Sequence, residues 1–158
     1  MNKSTIPTAQ KAALSLLLDD HRNVKKLFKQ FKEASSDREK ADIAQTVCKE
    51  LTIHTMLEEE VFYPLVRREG GQPFSDMLDE AVVEHASAKD LIAQIQSMKP
   101  GDDMYDAKVT VLCEYINHHV KEEEEEMFPK IVAKKIDLRE AAEMMSARKE
   151  ELMGMAPA

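Results

Sequence analysis

Apolar positions recur along this chain at steps of three and four, the spacing of one face of an α-helix. Leu14, Leu17, Leu18, His21, Val24, Leu27, Phe28 and Phe31 mark a first helix. Ser35-Ser36-Asp37 interrupts it, and Ser36 with Glu39 forms a capping box that opens the next helix. The second stripe reads Ile43, Val47, Leu51, His54, Glu58, Phe62, Leu65 and is closed by Gly70-Gly71-Gln72-Pro73. The third runs Met77, Leu78, Val82, His85, Ala88, Leu91, Ile92, Ile95, Met98 and ends at the turn Lys99-Pro100-Gly101-Asp102-Asp103. The fourth is Val109, Leu112, Cys113, Ile116, His119, Val120, Glu123, Met127, Ile131. A short fifth helix is predicted from Asp137, capped with help from Glu140, through Ala141, Met144, Met145 and Leu152, with a frayed tail from Gly154 to Ala158. Short turns between long helices make neighbours antiparallel. The expected fold is therefore all-α: an up-down-up-down antiparallel four-helix bundle over residues 8–135, with a short C-terminal helix over 136–153 packed on it.

Composition agrees with helix and narrows the setting. The 158 residues suit one core, and aromatics are only 5% with 4 Gly and no Trp, which disfavours a sheet protein. A net charge of −8 argues against a nucleic-acid surface and against an anionic membrane. No apolar run approaches the ~20 residues that span a bilayer, and the first residues lack the apolar core of a signal peptide. Cys48 and Cys113 are too few for a disulfide framework and read as small core residues. A cytoplasmic location is the expectation.

The stripes contain residues that an apolar core would not choose. His21, His54, His85 and His119 lie one per helix, each in mid-stripe, and Glu58 and Glu123 follow two of them at i+4. At about 1.5 Å of rise per residue, the four imidazoles fall within roughly 3–5 Å of one level when neighbouring helices run antiparallel. Residues four apart share a helix face, so each His-x-x-x-Glu pair can reach one cation beside its helix. A buried carboxylate without a partner must protonate or bear a large desolvation cost. Four imidazoles and two carboxylates aimed at one point describe a buried two-metal site; the ligand types suit iron, manganese or zinc. The acidic run Glu122 to Glu126 is otherwise expected to face solvent, as are Glu59, Glu60, Glu124 and Glu125.

The second half of the bundle repeats the first. Asp20-His21 corresponds to Glu84-His85, and His54-x-x-x-Glu58-Glu59-x-x-x-Tyr63-Pro64 to His119-x-x-x-Glu123-Glu124-x-x-x-Phe128-Pro129. Cys48 and Cys113 also correspond. The repeat selects His119 over its neighbour His118, because His118 aligns with Ile53. Pro64 and Pro129 are expected to kink or end the regular helix one turn past each glutamate.

At these motifs the chain resembles the hemerythrin-like family, the HHE cation-binding domains, over about residues 10–135. The resemblance implies a non-heme di-iron centre bridged by Glu58 and Glu123, with His21 and His54 on one iron and His85 and His119 on the other. It implies binding of dioxygen, nitric oxide or peroxide in sensing, storage or stress protection. The alternative it admits is an enzyme-like role in peroxide decomposition or ferrous iron oxidation and handling. Oxygen-carrying members have a second histidine one turn from the third-helix ligand and an aspartate five residues after the last one. Here Ala81 and Lys89 flank His85, and the last carboxylate is Glu123 at i+4. One iron would then have fewer nitrogen ligands, which points away from simple oxygen carriage. An exposed histidine that accepts a phosphoryl group would need His118, the one without a counterpart in the repeat.

Overall fold

The computed structural model describes residues 1–154. Its long helices are α1 (Thr8–Glu33), α2 (Asp37–Leu57) continuing into α3 (Tyr63–Gly70), α4 (Gln72–Gln96), and α5 (Tyr105–Glu122) continuing into α6 (Phe128–Ala133). A further helix, α7 (Arg139–Gly154), follows. Successive rods lie side by side, α1 on α2, α2 and α3 on α4, α4 on α5, and α5 closes the ring against α1. The all-α bundle with a fifth C-terminal helix is therefore the fold. There is no strand among the described residues, and no helix there is long and apolar enough to cross a membrane. The tail expected to fray lies, from residue 155 onward, outside the described residues.

Local chemistry sets the helix ends. Ser36 Oγ accepts the Glu39 amide at 3.2 Å, the N-cap expected for α2. Between α3 and α4 the turn is shorter than the Gly-Gly-Gln-Pro run suggests: Gly70 still belongs to α3 and Gln72 already begins α4. Gly71 turns the corner alone at φ +68°, a region glycine enters without steric cost. Gly70 is required for a different reason, since a Cβ there would sit 2.4 Å from the buried Phe74 ring. Asp137 opens α7 by accepting the Arg139 amide at 3.0 Å. Glu140 does not share in that cap, and faces Arg68 at 3.7 Å instead.

Each predicted helix carrying a His-x-x-x-Glu pair contains one wide π turn, Glu58–Phe62 and Glu123–Met127. There the Tyr63 and Phe128 amides donate five residues back, to the Glu58 and Glu123 carbonyls. Pro64 and Pro129 follow immediately, and neither ends the helix. A proline removes an amide donor and crowds the carbonyl four residues behind it; the extra residue of the π turn opens that part of the ladder. The expected kink or end of the regular helix takes the form of a bulge, and the helix continues to Gly70 and to Ala133.

The core is two apolar clusters. One contains Leu14, Leu17, Leu18, Leu57, Phe62 and Phe128 with Met145 of α7. The other contains Val24, Phe28, Val47, Leu51, Leu112 and Ile116. Along α1 the first ends at Leu18 and the second begins at Val24, with His21 between; along α4 the first ends at Ala81 and the second begins at Ala88, with His85 between. A polar layer therefore crosses the bundle between two greasy halves.

Candidate metal centre

The six residues singled out by periodicity meet in that layer. His21, His54, His85, His119, Glu58 and Glu123 are each no more than 5% exposed. Their inward atoms converge: His21 Nε2 lies 3.2 Å from Glu123 Oε1, and Glu58 Oε1 lies 3.4, 3.1 and 3.6 Å from Nε2 of His54, His85 and His119. His119 Nε2 is also 3.3 Å from Glu123 Oε2. Donor atoms form two overlapping sets, His21 with His54, Glu58 and Glu123, and His85 with His119 and Glu58. His118 stays outside, 64% exposed and 2.9 Å from Glu122.

Among the described residues, four buried side-chain atoms here make no well-formed hydrogen bond, His21 Nε2 and Glu123 Oε1 only facing each other at 3.2 Å: His21 Nε2, His54 Nε2, Glu58 Oε2 and Glu123 Oε1. They belong to the four residues of the first donor set. Unsatisfied buried polar atoms are rare and costly, and a bound cation is the partner that would satisfy imidazole nitrogens and carboxylate oxygens together. The residues present thus fit a metal ion.

Sequence reasoning missed Tyr63. Its hydroxyl sits among the donors of the second set, 2.5 Å from Glu123 Oε2 and 3.1 Å from Glu58 Oε1. It is also 3.4 and 3.3 Å from Nε2 of His85 and His119. In a regular helix, five residues on from Glu58 would lie about 140° round the axis. The π turn brings that position back to the same face, so one device supplies both the widened ladder and the phenol. The only signal in the sequence was that the repeat pairs Tyr63 with Phe128, whose ring stacks on His21 at 6.1 Å.

The outer nitrogens are as ordered as the inner ones. Nδ1 of His54 faces Asp20 at 2.9 Å, that of His119 faces Glu84 at 2.9 Å, that of His85 faces Glu59 at 2.7 Å and that of His21 faces Glu124 at 2.9 Å. Asp20 and Glu84 precede the first histidine of each repeat; Glu59 and Glu124 follow each central glutamate. Such carboxylates fix the ring and its tautomer so that Nε2 points inward. Glu59 and Glu124 are therefore not plain surface residues, at 25% and 18% exposure, whereas Glu60 pairs with Arg148 at 42%.

Charges respond to this crowding. Burial pulls His54 down, but Glu58 and Asp20 outweigh it and hold the imidazole up at about 10. His21 and His119 are likewise raised against burial by their carboxylate neighbours. Burial opposes ionisation of Glu58, yet His54 and the other groups around it keep its carboxyl well below the usual range. Burial and the charges of Glu123 and Glu58 push Tyr63 well above an ordinary phenol, so it keeps its proton. Cys48, remote from the layer, is raised to about 11 by burial, in keeping with an inert core thiol.

On the side of the layer away from Tyr63 lies a cavity of about 20 Å³. Val24, Leu51, Ile116 and Val120 wall it, and all four histidines form its floor. It has room for one water-sized molecule, not for an organic substrate.

Residues 12–131 match the family described as hemerythrin HHE cation binding domain. A DNA nickase of Nostoc sp. (strain PCC 7120 / SAG 25.82 / UTEX 2576) is 30% identical over 112 residues, covering 71% of this chain and 31% of the nickase. An uncharacterized hemerythrin-like protein of Schizosaccharomyces pombe (strain 972 / ATCC 24843) is 25% identical over 131 residues, 83% of this chain and 64% of its own length. The chain thus spans under two thirds of both curated relatives. A crystal structure of a hemerythrin HHE cation binding domain-containing protein from Mycobacterium kansasii aligns with a TM-score of 0.73, 23% identity, and coverage of 89% of this chain and 86% of that one. At that identity the likeness speaks for the fold alone.

Proposed function

The chain belongs to the hemerythrin HHE cation-binding domain family, and from that membership we propose a non-heme di-iron protein that takes up dioxygen or a related small oxidant in sensing, storage or stress protection. His21 and His54 would hold one iron and His85 and His119 the other, with Glu58 and Glu123 shared between them. When bound, the iron pair would supply one-electron steps and an open coordination position. The observation that carries this reading is the set of four unsatisfied inward atoms beneath a water-sized cavity.

The protein's own groups divide the remaining work. Asp20, Glu59, Glu84 and Glu124 hold the imidazoles by Nδ1, leaving Nε2 free for a cation. In the metal-free state the raised imidazoles keep protons that balance Glu58 and Glu123; cation uptake must displace them. The apolar walls of the cavity exclude bulk water and select for size. Tyr63 holds its proton between Glu58 and Glu123.

Tyr63 also supports a second reading, decomposition of peroxide to water and dioxygen, because its retained phenol proton lies beside the donor cluster, where a departing peroxide oxygen needs one. Strand cleavage, as named for the Nostoc relative, is not carried over. This chain covers 31% of that protein, and its charge of −8 disfavours a polyanion. The test is anaerobic loading with ferrous iron, then metal analysis and absorption spectra under dioxygen, nitric oxide and peroxide. Two irons per chain and a ligand-dependent ferric spectrum are expected. One tightly held zinc, or no iron, would overturn the proposal. Sustained peroxide consumption would select the enzymatic reading.

A further inference from the structure

The four outer carboxylates share a construction that goes beyond holding imidazoles. Each gives one oxygen to a histidine Nδ1 and turns the other outward. For three of them that second oxygen meets an ammonium group. Asp20 Oδ1 meets Lys149 at 2.6 Å, Glu59 Oε1 meets Lys89 at 2.8 Å, and Glu124 Oε1 meets the amino group of Met1 at 2.9 Å. Cation, carboxylate and imidazole thus stand in line from the surface to the centre.

Glu84 is the exception. Its Oε1 holds His119 at 2.9 Å, but its Oε2 meets no lysine or arginine among the described residues. Opposite it stands His118 Nε2 at 3.5 Å, and His118 is bracketed by Glu122 at 2.9 Å. One donor atom from each of Glu84, His118 and Glu122 lies within 4.8 Å of the other two. His118-x-x-x-Glu122 is a third pair of the type that builds the buried layer, one residue out of register and therefore on the surface. Glu84 comes from α4, across the helix interface, as a third donor.

The mirror half shows what stands there when no cation is needed. Asp20, Ile53 and Leu57 correspond to Glu84, His118 and Glu122 in the repeat. Ile53 and Leu57 are buried in the cluster that includes Met145 of α7, and Lys149 of α7 brings its ammonium to Asp20. Among the described residues the second half has no covering helix, and at the same positions it offers an imidazole and a carboxylate in place of two aliphatic groups and a lysine.

We propose that Glu84, His118 and Glu122 form a surface site for a divalent transition cation, which takes at Glu84 the place that ammonium groups take at the other three carboxylates. Its ligand set, one imidazole and two carboxylates, suits manganese, ferrous iron or zinc. With 64% of His118 exposed, the cation exchanges with solvent. Because Glu84 also holds His119, occupancy of the surface site acts on the buried centre through one shared side chain; that coupling, unlike the site itself, rests on the di-iron reading.

Manganese(II) tests the site, read by the loss of the free-ion electron paramagnetic resonance signal on titrating iron-loaded protein. One Mn(II) site per chain is expected. His118→Ala and Glu122→Gln should each weaken it at least tenfold while leaving iron content near wild type, and Glu150→Gln, on the far helix, should leave it unchanged. The ferric absorption bands should shift on Mn(II) addition in wild type and not in His118→Ala. Glu84 is left intact because it also supports His119. Absence of a saturable site in wild type, or binding by both variants as tight as in wild type, overturns the proposal; bands that stay fixed while Mn(II) binds overturn the coupling. If the chain holds no iron, the same titration of the protein as purified still decides the surface site, so the two failures are told apart.

Discussion

The two half-sites come from one repeated motif and are finished differently. Around His21 and His54 the inward atoms are unsatisfied, Phe128 stacks on His21, and α7 covers the outside with Lys149 on Asp20. Around His85 and His119 the hydroxyl of Tyr63 reaches both Nε2 atoms, and the outside is open at His118. A duplicated set of donor residues therefore does not make two equivalent positions. In the first half the inward atoms lack well-formed hydrogen bonds; in the second the Tyr63 hydroxyl stands among them.

The largest effect should come from the residue that both halves use. Glu58→Ala removes the carboxylate reached by three imidazoles, and should lose most bound iron together with about 3–5 kcal/mol of stability, read by metal analysis and urea midpoint. Iron retained at two per chain would refute a shared role. Next, Tyr63→Phe makes the halves alike. The metal-free protein should lose about 1–3 kcal/mol, because Glu123 and the two imidazoles lose a buried partner, whereas iron uptake persists and the ferric spectrum moves. An unchanged spectrum would place the phenol outside the centre's chemistry.

Acid and base should separate the inner from the outer groups. His54 is raised from 6.5 to about 10, so in the metal-free protein its contribution is complete below pH 6.5 and is lost as pH climbs through about 10. Burial works against Glu124 ionising, but His21 and the Met1 amino group lower it from 4.5 to about 2. Its contribution is complete above pH 4.5 and is lost as pH falls through about 2. Urea midpoints of the metal-free protein should therefore plateau between these limits and fall on both sides. Iron loading should flatten the alkaline fall and release protons into weak buffer; loading without proton release contradicts cationic imidazoles at neutral pH. The smallest effect belongs to the cover. Lys149→Met should cost about 1 kcal/mol or less and weaken iron retention in the first half alone, seen as one iron leaving sooner under a chelator.

How much of this was legible follows from the range of each interaction. His54 and Glu58 share a face because they are four residues apart, and the repeat alone chose His119 over His118; His119 is buried and His118 exposed. Tyr63 was not legible as part of the centre, because it reaches Glu58 only through a π turn. Glu59 and Glu124 read as solvent-facing because their partners, His85 and His21, come from other helices. Pro64 and Pro129 left kink and stop equally open for a related reason: a widened turn, which lets the helix run past them, depends on packing outside the helix.

The helices, their repeat and the convergence of six side chains can be read along the chain, since all three depend on angular register, which accumulates locally at about 100° per residue. Which half is covered, where the phenol lies, and which carboxylate steers which imidazole depend on the assembled bundle. Those relations are made across helix interfaces between residues as far apart as Asp20 and Lys149, and no periodicity within one helix encodes what a neighbouring helix will bring.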